Sequence, residues 1–227
     1  MSKNRKLNTR TLAVCAMLCA MAYTLTAVSH FLLPPLLPSA AWLKYDPKDV
    51  ILAIGALMLG PAPALLITIV TSVLEMLTFS ETGWIGLVMN VIASGAFILP
   101  GALLYARRRT LRSAVAGLLF GVVFMTGLML LWNAFLTPLY MGAPREAVIA
   151  MLVPVFLPFN AIKGGLNAAV TLLLYKPLTK ALRSAKLLPA QSNPSQKSVT
   201  GLTIIIAVVL AAICALVLLL LRHTSIS

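Results

Sequence analysis

The chain reads as an all-α polytopic membrane protein: a six-helix, six-span core carrying an extra C-terminal transmembrane helix. Three observations predict this class. Of its 227 residues 60% are apolar and only 10% are charged, with a mean hydropathy of +0.99. Apolar runs long enough to cross a hydrocarbon core of about 30 Å recur along the sequence. The basic residues fall in short clusters between those runs, the pattern that orients membrane spans. On a soluble chain a net charge of +13 would raise nucleic acid as a partner. Here the cations flank spans, so the expected surroundings are a lipid bilayer and no nucleic acid.

The first run, Thr11 to Leu33, follows Lys3, Arg5, Lys6 and Arg10. It is too long for the apolar region of a signal peptide and lacks a small-residue cleavage site, so it is expected to remain as a span. Within it Ala16 and Ala20 form a small-xxx-small pair, a spacing that lets another helix backbone come close. Pro34 and Pro35 end the helix. The loop beyond carries Trp42-Leu43-Lys44-Tyr45-Asp46-Pro47-Lys48-Asp49. Asp46 suits the N-cap of a second helix, with Pro47 at its first position and Asp49 in its first turn. A ligand role for Asp46 is equally open.

The second run, Val50 to Leu59, would reach only roughly 15 Å as a helix, half a bilayer core. Charge decides that it crosses. Were it re-entrant, Arg107, Arg108, Arg109 and Arg112 would end up outside, against the positive-inside rule. The runs Ala62 to Phe79, Trp84 to Ala106, Ser113 to Phe135 and Val148 to Leu174 then alternate, with local bilayer thinning available to the short second span. Residues 1–186 are expected to form the six-span domain, 187–200 a polar linker and 201–222 the additional helix. The N-terminus and the cluster Lys176, Lys180, Arg183 and Lys186 face the cytoplasm on this count, whereas Lys44, Lys48, Arg145 and Arg222 face out.

Inside the sixth run sits Pro158-Phe159-Asn160-Ala161-Ile162-Lys163-Gly164-Gly165. A lysine at bilayer depth costs about 2.5 to 3.5 kcal/mol on insertion scales, so a partner or a function is expected for Lys163. Asn160, Lys163 and Asn167 share one helical face, and Gly164 leaves room beside the lysine. The topology places Glu75, Asn90, Asn133, Asn160, Lys163 and the Lys44 to Asp49 loop in the outer half. The inner halves hold only mild groups such as Thr68, Thr71, Ser72, Ser94 and Thr126, which can bond their own helix carbonyls. No ionisable relay leads to the cytoplasm, and no Gly-x-x-x-x-Gly-Lys phosphate loop is present. The expectation is an outward-facing capture protein whose movement is driven by others. Cys15, Cys19 and Cys214 lie in apolar runs without a metal-ligand spacing, so neither a metal nor a disulfide framework is expected.

Lys44-Tyr45-Asp46-Pro47-Lys48-Asp49, then Gly55 and Gly60-Pro61, Gly86 with Met89-Asn90, Asn133 before Pro138-Leu139-Tyr140, and Pro158 to Lys163 together resemble the substrate-binding S components of energy-coupling-factor vitamin transporters, in particular the riboflavin-specific ones. The resemblance runs in order over about residues 8–183. It implies a six-helix core with cytoplasmic termini in a bacterial plasma membrane, an external first loop lidding the site, and assembly with a transmembrane coupling protein and two ABC-type ATPases. It also implies that the face bearing Ala16 and Ala20 meets the coupling protein. The seventh span departs from the pattern and would place the C-terminus outside.

Riboflavin suits these residues. Its ring has a polar edge of carbonyls and N–H, which asparagine amides at Asn133 and Asn160 and the donors of Lys163 could read. Trp42 and Tyr45 could wall its apolar end, and Lys44, Asp46, Asp49, Glu75 and Asn90 could serve the hydroxylated chain. The vitamin is the transported ligand, and no cofactor is expected. Two rivals stand beside this reading: another vitamin on the same scaffold, and an intramembrane enzyme. Only Glu75, His30 and Lys163 could do acid-base work within the spans, and no serine or cysteine has an activating neighbour at helical spacing, so catalytic residues are expected to be none.

Overall fold

The structure is a computed structural model that describes residues 9–37, 40–187 and 200–224. The N-terminal cations Lys3, Arg5 and Lys6, most of the expected linker and the side chain of Arg222 lie outside the described residues. Among the described residues the elements are helical throughout: α1 (Thr9–Leu32), α2 (Lys48–Leu59), α3 (Pro61–Thr78), α4 (Gly83–Arg108), α5 (Leu111–Phe135), α6 (Thr137–Met141), α7 (Arg145–Met151), α8 (Leu157–Ser184) and α9 (Thr200–Thr224). A π-helical turn, Leu152–Phe156, joins α7 to α8, so Arg145–Ser184 forms one 40-residue segment. That turn contains Pro154, whose missing N–H breaks the regular ladder.

Among the described residues five segments are long and apolar enough to cross a membrane: α1, α3, α4, α5 and the α7–α8 segment. The chain is a multi-pass membrane protein. Only 12 residues long, α2 has every residue from Lys48 to Leu57 buried, packed among α1, α3, α4 and α8. Thinning of the bilayer is therefore unnecessary, because α2 meets protein and not lipid along most of its length. Gly60, at φ 96°, turns the chain between α2 and α3, a left-handed conformation that favours glycine.

Helices α4 and α5 approach each other closely. A Cβ at Gly117 would stand 2.6 Å from the Cα of Gly101, and one at Gly121 would collide with the carbonyl oxygen of Phe97. Two glycines four apart thus let the backbones touch, which is how helices associate where the hydrophobic effect offers nothing between them. Gly164 instead makes room for α5 side chains against α8: a Cβ there would meet the Met125 methyl at 2.9 Å. The room expected beside Lys163 is filled by α5.

Candidate functional site

Polar side chains gather at the end of the bundle that carries the α1–α2 loop. Their centre is Lys48, in the first turn of α2 and fully buried. Its ammonium lies 2.5 Å from Asp46 Oδ2 and 2.6 Å from Glu75 Oε2, which ties the loop to the end of α3. Asn90 of α4 donates to the same Glu75 oxygen at 3.2 Å. Asp46 Oδ1 also accepts the backbone N–H of Lys48 at 3.2 Å and lies 3.1 Å from Thr26 Oγ1 of α1. Asp46 is therefore not the N-cap expected of it: Pro47 holds that position without a side-chain cap bond, the helix begins at Lys48, one residue later than expected, and Asp46 reaches the first helical N–H from the residue before the cap. Burial would raise the Asp46 pKa, but the ammonium groups of Lys48 and then Lys163 outweigh it and hold the carboxyl down at about 2.

Asp49 forms the second knot. Ser94 of α4 donates to its Oδ1 at 2.5 Å, and Asn167 of α8 donates to its Oδ2 at 3.4 Å. Asn167 also donates to the Asp46 carbonyl at 3.1 Å and accepts from the Tyr45 hydroxyl at 2.7 Å. The Tyr45 phenol is kept neutral by burial, and the nearby carboxylates of Asp49 and Asp46 add to that, so it remains a donor. Ser29 of α1 donates to the Tyr45 carbonyl at 2.5 Å. The loop is thus stitched to α1 on one side and to α8 on the other.

Lys163 sits against both knots without closing on either. Its Nζ is 3.9 Å from Asp46 Oδ2 and 3.9 Å from Asp49 Oδ2, beyond hydrogen-bond reach. Among the described residues it makes no shorter polar contact, so its donors remain to be used. Glu75 Oε1 is buried with no hydrogen-bond partner, and so is the indole N–H of Trp132 on α5. Lys163 thus has donors, and Glu75 an acceptor oxygen, left over on the same network.

The expected residues divide by location. Tyr45, Asp46, Asp49, Glu75, Asn90 and Lys163 belong to one hydrogen-bonded and ion-paired network. Asn133 and Asn160 are buried, but their amides donate to Met129 O at 2.7 Å and Phe156 O at 2.8 Å, one turn back on their own helices. The Asn133 oxygen accepts from Thr137 at 2.7 Å. Lys44 is exposed and lies 3.3 Å from His30 Nε2, and Trp42 is half exposed. Ala16 and Ala20 are exposed on α1.

Sequence reasoning left Lys48 and Ser94 out of the site. Lysine in the first turn of a helix opposes the helix dipole, and two carboxylates within reach of it were the available hint. Ser94, expected among the mild inner groups that bond their own helix, bonds Asp49 instead, because α2 runs alongside it. Thr68 and Thr71 do bond their own helix, at Ala64 O and Ile67 O.

Lipid-length helices that gather charged side chains away from lipid at one end make a polytopic protein built to hold a polar guest. Residues 10–175 match the model of the ECF transporter substrate-specific component, and the chain belongs to that family. It is 32% identical over 192 residues to the riboflavin transporter RibU of Staphylococcus aureus (strain TCH60), covering 81% of this chain and 99% of that protein. It is 31% identical over 190 residues to the riboflavin transporter FmnP of Bacillus subtilis (strain 168), covering 77% and 96%. A solved structure described as the S component of a bacterial ECF transporter superposes with a TM-score of 0.64 at 30% identity, covering 78% of this chain and 99% of that one.

Proposed function

We propose that the chain captures riboflavin at the network around Lys48 and Lys163 and serves as the substrate-binding subunit of an ATP-driven importer. The observation that carries this reading is the pair of unspent polar groups, the Lys163 ammonium and Glu75 Oε1, attached to a buried network that satisfies its other members. Leaving the hydrogen-bonding capacity of such groups unused in a buried site is costly, and a ligand with complementary acceptors and donors recovers that cost. An isoalloxazine edge offers carbonyls to Lys163, and the ribityl hydroxyls can donate to Glu75. Asn160 retains its amide oxygen for a ring N–H, while Asn133 acts through its bond with Thr137 or by rotating toward the guest. The names of the relatives support riboflavin over other vitamins.

The loop end faces the exterior of a bacterial plasma membrane in this reading, and the N-terminus is cytoplasmic. Energy comes from two ABC-type ATPases through a transmembrane coupling protein, which docks on the α1 face exposing Ala16 and Ala20. The chain performs no chemistry of its own. The test is a riboflavin titration of the purified chain in nanodiscs, read by flavin fluorescence. Saturable binding at one riboflavin per chain is expected. Binding of a different vitamin with riboflavin ignored would overturn the assignment of the ligand.

A further inference from the structure

The family match ends at residue 175, so α9 lies outside the matched residues. Its packing is nevertheless specific. Ala207, fully buried, joins the main core with Ala168 and Leu172 of α8, and Leu210 packs against it. Cys214 is buried against Gly165, where a Cβ would stand 2.6 Å from the thiol sulfur. Leu218 packs on the cluster of Leu37, Ala40 and Phe159, together with Leu36 and Leu43. Residues 207, 210, 214 and 218 follow the spacing of a single helical face. Their partners run backwards along α8, from Gly165 to Phe159, so α9 lies antiparallel to α8 and its C-terminal end reaches the α1–α2 loop.

We propose that α9 is an intramolecular latch: by pressing Leu218 onto Leu37, Ala40 and Phe159 it holds the loop bearing Tyr45 and Asp46 against α8, and so sets the rate at which the site opens. Swinging Tyr45 and Asp46 away from Asn167 and Lys163 must also peel Leu37 and Ala40 from Phe159 and Leu218. None of the latch residues belongs to the polar network, so loosening them is expected to speed entry and exit alike and leave affinity in place. The ligand in this inference rests on the riboflavin reading, whereas the latch itself can be tested without any ligand.

The test uses the full chain in nanodiscs with Leu218→Ala, which trims a half-buried side chain outside the polar network. Without ligand, hydrogen exchange at the Ala40 and Leu43 amides, bonded to Leu37 O and Ala40 O, is expected to rise about fivefold, with α4 and α5 unchanged. Gly165→Ala, which pushes on Cys214, should do the same, and adding Cys214→Ala should restore protection. Riboflavin association and dissociation rates should rise by the same factor in Leu218→Ala, with Kd held within about twofold. Unchanged exchange at Ala40 and Leu43 would overturn the latch, as would a loss of affinity at unchanged rates. Faster exchange in a chain that binds no riboflavin would support the latch and remove the vitamin assignment.

Discussion

Replacing Lys48 with methionine removes the ammonium that bridges Asp46 and Glu75 while keeping the side-chain bulk. At contact distances of 2.5 and 2.6 Å and an effective dielectric of about 20, each ion pair is worth about 6 kcal/mol of attraction. Desolvation of three charged groups offsets much of that, so the bridge adds little net stability over an apolar replacement of all its members. Removing the lysine alone is different, since it leaves two carboxylates buried and facing each other, and is expected to cost about 3 to 5 kcal/mol. Glu75→Gln should restore part of the loss, because it deletes one of the stranded charges. The assay is unfolding of the wild type, Lys48→Met, Glu75→Gln and the double variant in mixed micelles, followed by helical circular dichroism. A cost below about 1 kcal/mol for Lys48→Met, or strictly additive single effects, would refute the bridge as the organiser of this end of the bundle.

Lys163→Met should weaken riboflavin binding by about 10- to 100-fold, the scale of a charge-assisted hydrogen bond, and cost less stability than Lys48→Met, because its contacts with Asp46 and Asp49 are 3.9 Å long. Unaltered affinity in a titration would remove it from the site. Ala16→Leu or Ala20→Leu should spare binding by the isolated chain and abolish uptake by cells, and normal uptake would clear the α1 face of a docking role. For Asp46, the folded carboxyl ionises near 2 against an ordinary value of 3.8, so its ionised form stabilises the fold at every pH above 3.8 and this contribution is lost as pH falls toward 2. The stability difference between wild type and Asp46→Asn should accordingly stay level from neutral pH to about 4 and shrink below it. A difference that disappears already near pH 6 would contradict that pKa.

The expected helix class and family stand, and both rest on signals local in sequence: apolar run length, cation clusters and the loop and α8 motifs. Lys163 announced itself in the same way, as a charge where lipid would not tolerate one. Lys48 gave no such signal. Positioned at a helix start beside polar residues it resembles a surface lysine, and only the enclosure of α2 by four other helices strips its water and forces it onto Asp46 and Glu75. The asparagines show the opposite case, since Asn133 and Asn160 look like free amides in sequence yet spend their N–H groups on carbonyls one turn back.

By itself, then, the order of residues determined which segments enter lipid, which class of scaffold they build and which ionisable groups are misplaced in it, because the cost of burying a charge or an unpaired peptide in hydrocarbon is set by composition and length. Tertiary structure decided the pairing. Lys48 joins Glu75, Ser94 joins Asp49 and Cys214 joins Gly165 across up to 49 positions of chain, and such contacts depend on helix register and on glycines that let backbones meet, neither of which a one-dimensional pattern records.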